Sequence, residues 1–215
     1  MIRKSELLSF FIIAFLLADP FIIKSSVIAS EPQKAERPEW QVGDKWMYQR
    51  GDQQIIMEVI ETEEINGKKC YVLKRLGNKI IFTREIENLG TKRGSDDEFI
   101  TKWNPPQKLY SWPLEIGKKW KEKLRLFWDT TRWGKEGFNW DPDPVWRESK
   151  VIGIEEVTVP AGKFITFHIY TTETMRGTTV EFHRWYSPQV KNVVWAKGYS
   201  RGIPWEEKLL EYFLK

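Results

Sequence analysis

From Trp40 onward the chain is written in short runs of β-branched and aromatic residues broken by turn residues, a pattern whose period is two rather than 3.6. Residues 45–50 and 54–61 read as strands joined at Gly51-Asp52. Asn66-Gly67 has the composition of a two-residue hairpin turn whose central residues both need positive φ. Residues 69–74 and 80–87 are therefore expected to continue a meander. Residues 88–98 are polar and charged and read as an exposed connection. Residues 99–103 make a short strand that Pro105-Pro106 should end, because proline offers no N–H to a ladder.

The best-defined hairpin lies further on, where residues 150–159 and 163–172 flank Pro160-Ala161-Gly162. Proline suits the second position of a type I turn, and glycine the left-handed position after it. In the returning strand Ile165, Phe167 and Ile169 share what is expected to be the core face, and Phe164, Thr166, His168 and Tyr170 share the other. Residues 178–186 and 190–199 form a further hairpin across Ser187-Pro188. Residues 208–214 fit a helix through Trp205, Leu209 and Phe213 and equally a strand through Leu210, Tyr212 and Leu214. The run Ile116-Gly117-Lys118-Lys119-Trp120 repeats the residue types of Val42-Gly43-Asp44-Lys45-Trp46, which an internal duplication and a shared way of starting a strand explain equally. The pattern as a whole predicts an all-β, mainly antiparallel domain over residues 40–215: a curved sheet, β-roll or half-open barrel with an aromatic-rich inserted loop.

The first thirty residues follow another rule. Arg3 and Lys4 precede an apolar run at 7–17, and Val27-Ile28-Ala29 supplies small residues, so a secretory signal cleaved near Ala29 or Ser30 is expected. Asp19 and Pro20 break the apolar run short of the ~20 residues that span a bilayer, so no stable membrane span is expected after cleavage. Residues 31–39, with Pro32 and Pro38, read as a flexible leader. The destination is periplasmic or extracellular. The chain has a single cysteine, Cys70, so no intramolecular disulfide is available in that oxidising compartment; its strand context suits a small buried side chain rather than a nucleophile.

Charge narrows the function little. The 34 Lys+Arg and 30 Asp+Glu leave a net charge of only +4, and the two signs are interspersed. A nucleic-acid binder would gather its basic residues into a stripe, so nucleic acid is set aside as a partner. The 12 Trp are far above ordinary usage and demand either burial or a use.

Val157-Thr158-Val159-Pro160-Ala161-Gly162-Lys163-Phe164, followed by Trp185-Tyr186-Ser187-Pro188-Gln189-Val190, resembles a group of exported bacterial proteins known only as a domain of unknown function, with VxVPAGxF and WYSPxV motifs. Trp40 to Trp46 nearly matches the group's N-terminal WxxGxxW. The resemblance implies an antiparallel β domain outside the cytoplasm and brings no catalytic residues with it. Where the group has glycine after WYSPxV this chain has Lys191, so Asn192 or another residue is expected to take the positive φ of that turn.

Functional chemistry is expected in residues 126–146. There Trp128, Trp133, Phe138, Trp140 and Trp146 are set among Gly, Pro, Asp and Asn, and Arg132 and Lys135 are placed for cation–π contacts. Loop aromatics of this kind stack on a sugar ring or anchor a partner, or else fold back over the sheet. Asp141 and Asp143 are the candidates for a glycosidase pair or a calcium loop, although Asp-Pro-Asp-Pro is also a common rigid loop. His168 and His183 lack the further ligands a zinc site needs and read as histidines on the wetter face of the sheet, and Ser187 lacks a nucleophile-elbow setting. No cofactor, metal or enzymatic activity is expected. The reading is an exported envelope protein that binds a lipid or other apolar ligand, a glycan or an envelope protein. The alternatives are a structural component of a surface assembly offering a sheet edge and, third, a carbohydrate-active enzyme.

Overall fold

The period of two becomes strand pairing along almost the whole chain. The computed structural model describes residues 33–94, 98–129, 142, 144–200 and 202–215. The expected signal segment lies outside them, as do Arg132, Trp133, Lys135, Phe138, Trp140, Asp141 and Asp143. The strands are β1 (Lys34–Ala35), β2 (Lys45–Arg50), β3 (Gln53–Ile65), β4 (Lys68–Arg75), β5 (Asn78–Thr83), β6 (Glu87–Lys92) and β7 (Phe99–Lys108). They continue with β8 (Leu114–Glu115), β9 (Lys119–Trp128), β10 (Pro144–Val159), β11 (Gly162–Met175), β12 (Thr178–Ser187), β13 (Asn192–Ser200) and β14 (Ile203–Phe213). β1 pairs with β8; the other twelve close into one antiparallel barrel, with β9 beside β7 and β14 returning to β2.

Closure corrects four of the expectations drawn from the sequence. Residues 88–98 are not simply a connection: β6 is paired on both sides, polar as it is, because β5 and β7 each need a neighbour. The strand at 99–103 does not stop before Pro105-Pro106. β9 pairs with β7 only through Asn104, and β6 skips from Lys102 to Gln107, so neither proline is asked for an N–H. The leader is partly structured, since Ala35 is buried in the β1–β8 pair. Lys191 itself adopts φ 57° at the turn after the 3-10 segment Pro188–Val190, with no neighbouring residue taking its place. The ambiguous C-terminal segment is strand β14.

The β10–β11 hairpin closes over Pro160-Ala161 with Gly162 at φ 132°. Phe167 and Ile169 are buried as expected, but Phe164 and Thr166 are buried as well and Ile165 only partly. The tip lies across β14, where the Ala161 N–H donates to the Leu209 carbonyl (3.1 Å) and Phe164 meets Tyr212 edge-on at 6.0 Å. Cys70 is fully buried in a small satellite cluster with Val72 and Ile81.

The two Gly-x-x-Trp starts occupy equivalent places. Gly43 N–H donates to the Val59 carbonyl and Val59 N–H to Asp44; Gly117 and Val151, with Lys118, repeat both bonds. A register shift follows each valine, between Val59 and Glu61 and between Val151 and Gly153. Later, Leu76-Gly77 (φ 49° and 78°) and Arg176-Gly177 (φ 51° and 75°) make matching turns, and Ile86 (62°) and Lys191 (57°) take matching left-handed positions. The barrel is thus two structurally equivalent meanders, β2–β7 and β9–β14.

In the first copy Asp44 binds the seam. Its buried carboxylate accepts the N–H of Gln41 and of Lys215, both at 2.9 Å, and lies 3.8 Å from Lys191 Nζ. It therefore ties the entrance of β2 to the end of β14 and to the β12–β13 turn. Asp44→Ala leaves buried donors unpaired and is expected to destabilise the protein by about 2–4 kcal/mol in urea unfolding. A loss within about 0.5 kcal/mol, the usual range for a surface substitution, would show that the seam does not depend on it.

Candidate functional site

Antiparallel register decides which side chains enter the lumen, because residues directly opposite share a face. From β2 these are Trp46, Tyr48 and Arg50, and from β12 Val180, Phe182, Arg184 and Tyr186, each opposite an inward residue of the next strand. The end carrying the C-terminus, Asn66-Gly67 and Pro160-Ala161 is plugged with rings. Trp40 contacts Trp46 and Tyr71 at 5.5 Å and Phe82 at 5.6 Å, while Tyr186 contacts Tyr110 at 5.4 Å and Trp112 at 5.3 Å. The indole N–H groups of Trp40 and Trp46 donate to the carbonyls of Lys191 and Val190 (2.9 and 2.7 Å), so the plug buries no indole donor unpaired.

Above the plug lies a band of charge. Glu207, from β14, bridges Arg50 and Arg75, and Arg147 lies 3.2 Å from Glu173 and 3.7 Å from Glu122. Burial lowers the pKa of Arg147 to about 10 and raises that of Glu122, whose carboxylate accepts the Lys108 N–H at 2.7 Å. Burial likewise raises the phenol of Tyr110 to about 12 and that of Tyr48 well above its usual value, so both stay neutral, and Tyr48 donates to the Val193 carbonyl at 2.9 Å. A cavity of ≈ 240 Å³ opens here, lined among others by Tyr48, Arg50, Arg75, Tyr110, Arg184 and Glu207.

At the opposite end, where Arg176-Gly177 and Gly202 turn, a pocket of ≈ 540 Å³ is walled by Met175, Val180, Phe182, Tyr199 and Trp205, with Glu173 at its base. Trp205 lines both spaces. Arg50 lies over the Trp205 ring at 5.1 Å and Arg184 over Phe182 at 5.4 Å, so aromatic walls pass directly into cationic ones. Gly198 is required for this packing: a Cβ there would stand 2.7 Å from Phe182 Cδ1 and 2.8 Å from the Glu181 carbonyl oxygen.

Of the six residues expected from the sequence to bind a ligand, two, Trp128 and Trp146, fall among those described. Trp128 is on the lumen side at the end of β9, by alternation from Leu124. Trp146 stands opposite Lys123 on the outer face, 53% exposed, with the ammonium 4.7 Å over its ring. The wall of the barrel separates them. The residues that sequence reading passed over, Phe182, Arg184, Trp205 and Arg50, come from three strands far apart in the chain. One local signal was available: alternation puts Arg184 on the same face as Phe182 and Tyr186, an unusual place for a cation.

Outside the barrel, opposite the lumen, β10–β14 carry a ring ladder. Trp195 stacks on Trp185 at 4.0 Å and Trp185 on His168 at 4.2 Å. Glu155 accepts from the Trp185 indole and lies against His168 Nδ1, both at 2.7 Å, and His168 Nε2 meets His183 Nδ1 at 2.8 Å. The histidines are thus paired with each other and with a carboxylate, as a solvated face allows. Burial is the largest influence on both, outweighing Glu155 at His168, and lowers both pKa values below 6.5. The unfolded chain therefore takes up protons first. Stability should be full above pH 6.5 and fall as the pH drops below it toward the folded-state values. The melting temperature of a His168→Gln, His183→Gln variant is expected to fall less between pH 7.5 and 5.5 than that of the parent; an equal fall would overturn this assignment.

No family model matches the chain, and no curated protein matches it in sequence. Solved structures similar to it include a provisionally described lipoprotein from Parabacteroides distasonis, 11% identical, with 83% of this chain and 99% of that one covered at a TM-score of 0.44. Another is a provisionally described exported protein with a YmcC-like fold from Bacteroides fragilis, 14% identical over 83% and 99% of the two chains, TM-score 0.38. A third is the hypothetical lipoprotein YmcC of Escherichia coli, 10% identical over 80% and 85%, TM-score 0.42. At these scores none of the three bears on the chemistry of the chamber, which rests on its own residues.

Proposed function

We propose that this is an exported, non-enzymatic binding protein that takes the apolar body of a ligand into the barrel through the end away from the aromatic plug. Export rests on the signal-like residues 1–30. Binding rests above all on the ≈ 540 Å³ pocket with Met175, Val180, Phe182 and Trp205 on its walls. That volume lies in the ordinary range for small-molecule sites, ~300–1,000 Å³. Water held against such walls is returned to bulk when an apolar group replaces it, at roughly 25 cal/mol per Å² buried. β9 ends and β10 begins at this same end, where Pro144 stands opposite Arg125. The alternative of a structural subunit offering a sheet edge is the less supported reading, because each barrel strand is paired on both sides over part of its length.

The test uses the neutral fluorophore N-phenyl-1-naphthylamine on the mature chain. Saturable binding is expected, weakened about tenfold or more by Trp205→Ala and unchanged by Trp146→Ala on the outer face, with urea midpoints checked for each variant. No saturable binding, or a loss confined to a Trp133→Ala, Trp140→Ala variant, would overturn the chamber as the site.

A further inference from the structure

We infer that the inner cavity is an oxyanion site, in which Arg184, Arg50 and Asn192 hold the acidic headgroup of a ligand whose apolar body lies in the outer pocket against Phe182 and Trp205. The inference rests on the proposal that the chamber admits a ligand and names the chemical class of that ligand.

The charge pairing inside the lumen is incomplete. Glu207 is engaged by Arg50 and Arg75, and Glu122 and Glu173 by Arg147. Arg184 makes no ion pair with any described residue, although Glu173 and Glu207 act on it from a distance, Arg147 stands among the neighbouring cations and Tyr110 faces it. Burial lowers the pKa of Arg184, as it does for a cation short of compensation. Around the same cavity three buried N–H-bearing atoms have no hydrogen-bond partner among the described residues: Arg184 Nη1, Arg50 Nε and Asn192 Nδ2. Asn192 is only 6% exposed, and its own carbonyl oxygen is already used by the Val193 N–H at 2.8 Å. Folded proteins seldom leave such donors unpaired, since each costs ~1–3 kcal/mol, and more when charged.

What the group lacks is a set of acceptors carrying negative charge. A carboxylate or similar oxyanion supplies that, and guanidinium forks match its geometry. The ≈ 240 Å³ cavity has room for a headgroup but not for a long chain, whereas the adjoining ≈ 540 Å³ pocket, sharing Trp205, has room for the chain. An amphipathic acid entered body-last would place each end in the environment that suits it.

The experiment compares decanoate and decanol by calorimetry at pH 7.5 on the mature chain and on Arg184→Met and Trp205→Ala variants. Decanoate is expected to bind the parent about tenfold or more tightly than decanol. Arg184→Met should remove that advantage and leave decanol binding unchanged. It should also unfold at the same or a higher urea midpoint than the parent, because a purely structural arginine would be missed whereas an uncompensated buried cation is not. Equal affinity for the two probes, both lost in Trp205→Ala, overturns the oxyanion site and leaves the proposed function standing. Binding of neither probe overturns the chamber itself. Stabilisation by sulfate or acetate that disappears in Arg184→Met, without decanoate binding, overturns the amphipathic ligand in favour of a free small anion.

Discussion

Closing twelve strands into one barrel is the constraint from which the rest of this structure follows. Around eight strands enclose a lumen that ordinary side chains just fill; a larger barrel must be filled with larger groups or left with space. The tryptophan excess is the first response. Trp40, Trp46 and Trp120 are buried, with Tyr71, Tyr186 and Phe167, so part of the aromatic excess is aromatic filling. The plug reaches one end only, and the chamber is the volume it does not occupy.

The charged band is harder to explain as filling. Buried ion pairs contribute little net stability compared with well-packed apolar groups of the same size, because desolvation offsets the attraction. Arg147 with Glu122 and Glu173, and Glu207 with Arg50 and Arg75, are at least paired. Arg184 has no such partner among the described residues, and it lies beside both the apolar walls and the cavity. An arrangement that costs stability in the free protein is understandable if a ligand completes it.

The two equivalent meanders differ in length, and that difference shapes the pocket. β11 and β12 have 14 and 10 residues against 8 and 6 in their counterparts β4 and β5. The longer pair supplies Met175, Val180 and Phe182 to the pocket wall, whereas the shorter pair contributes none of the residues lining it. The outer ring ladder of His168, Trp185 and Trp195 also belongs to the longer copy, on the face turned away from the chamber.

Local chemistry determined much of this protein from the sequence alone. Alternation announced strands, Asn66-Gly67 and Pro160-Ala161-Gly162 announced their turns, and the repeated Gly-x-x-Trp entry foreshadowed the matching hydrogen bonds at the starts of β2 and β9. Each of those signals is carried by neighbours in the chain. What only the tertiary structure decided is everything that depends on partners far apart in sequence. The pairing of β14 with β2 turned a curved sheet into a closed barrel, and the gaps in the β6 and β9 ladders made Pro105-Pro106 tolerable inside a strand. Closure also gave each strand an inside, separating Trp146 from Trp128 and bringing Arg50, Arg184 and Trp205 around one cavity. A period of two says that faces alternate; only closure, by choosing which face is enclosed, says which of them meets water.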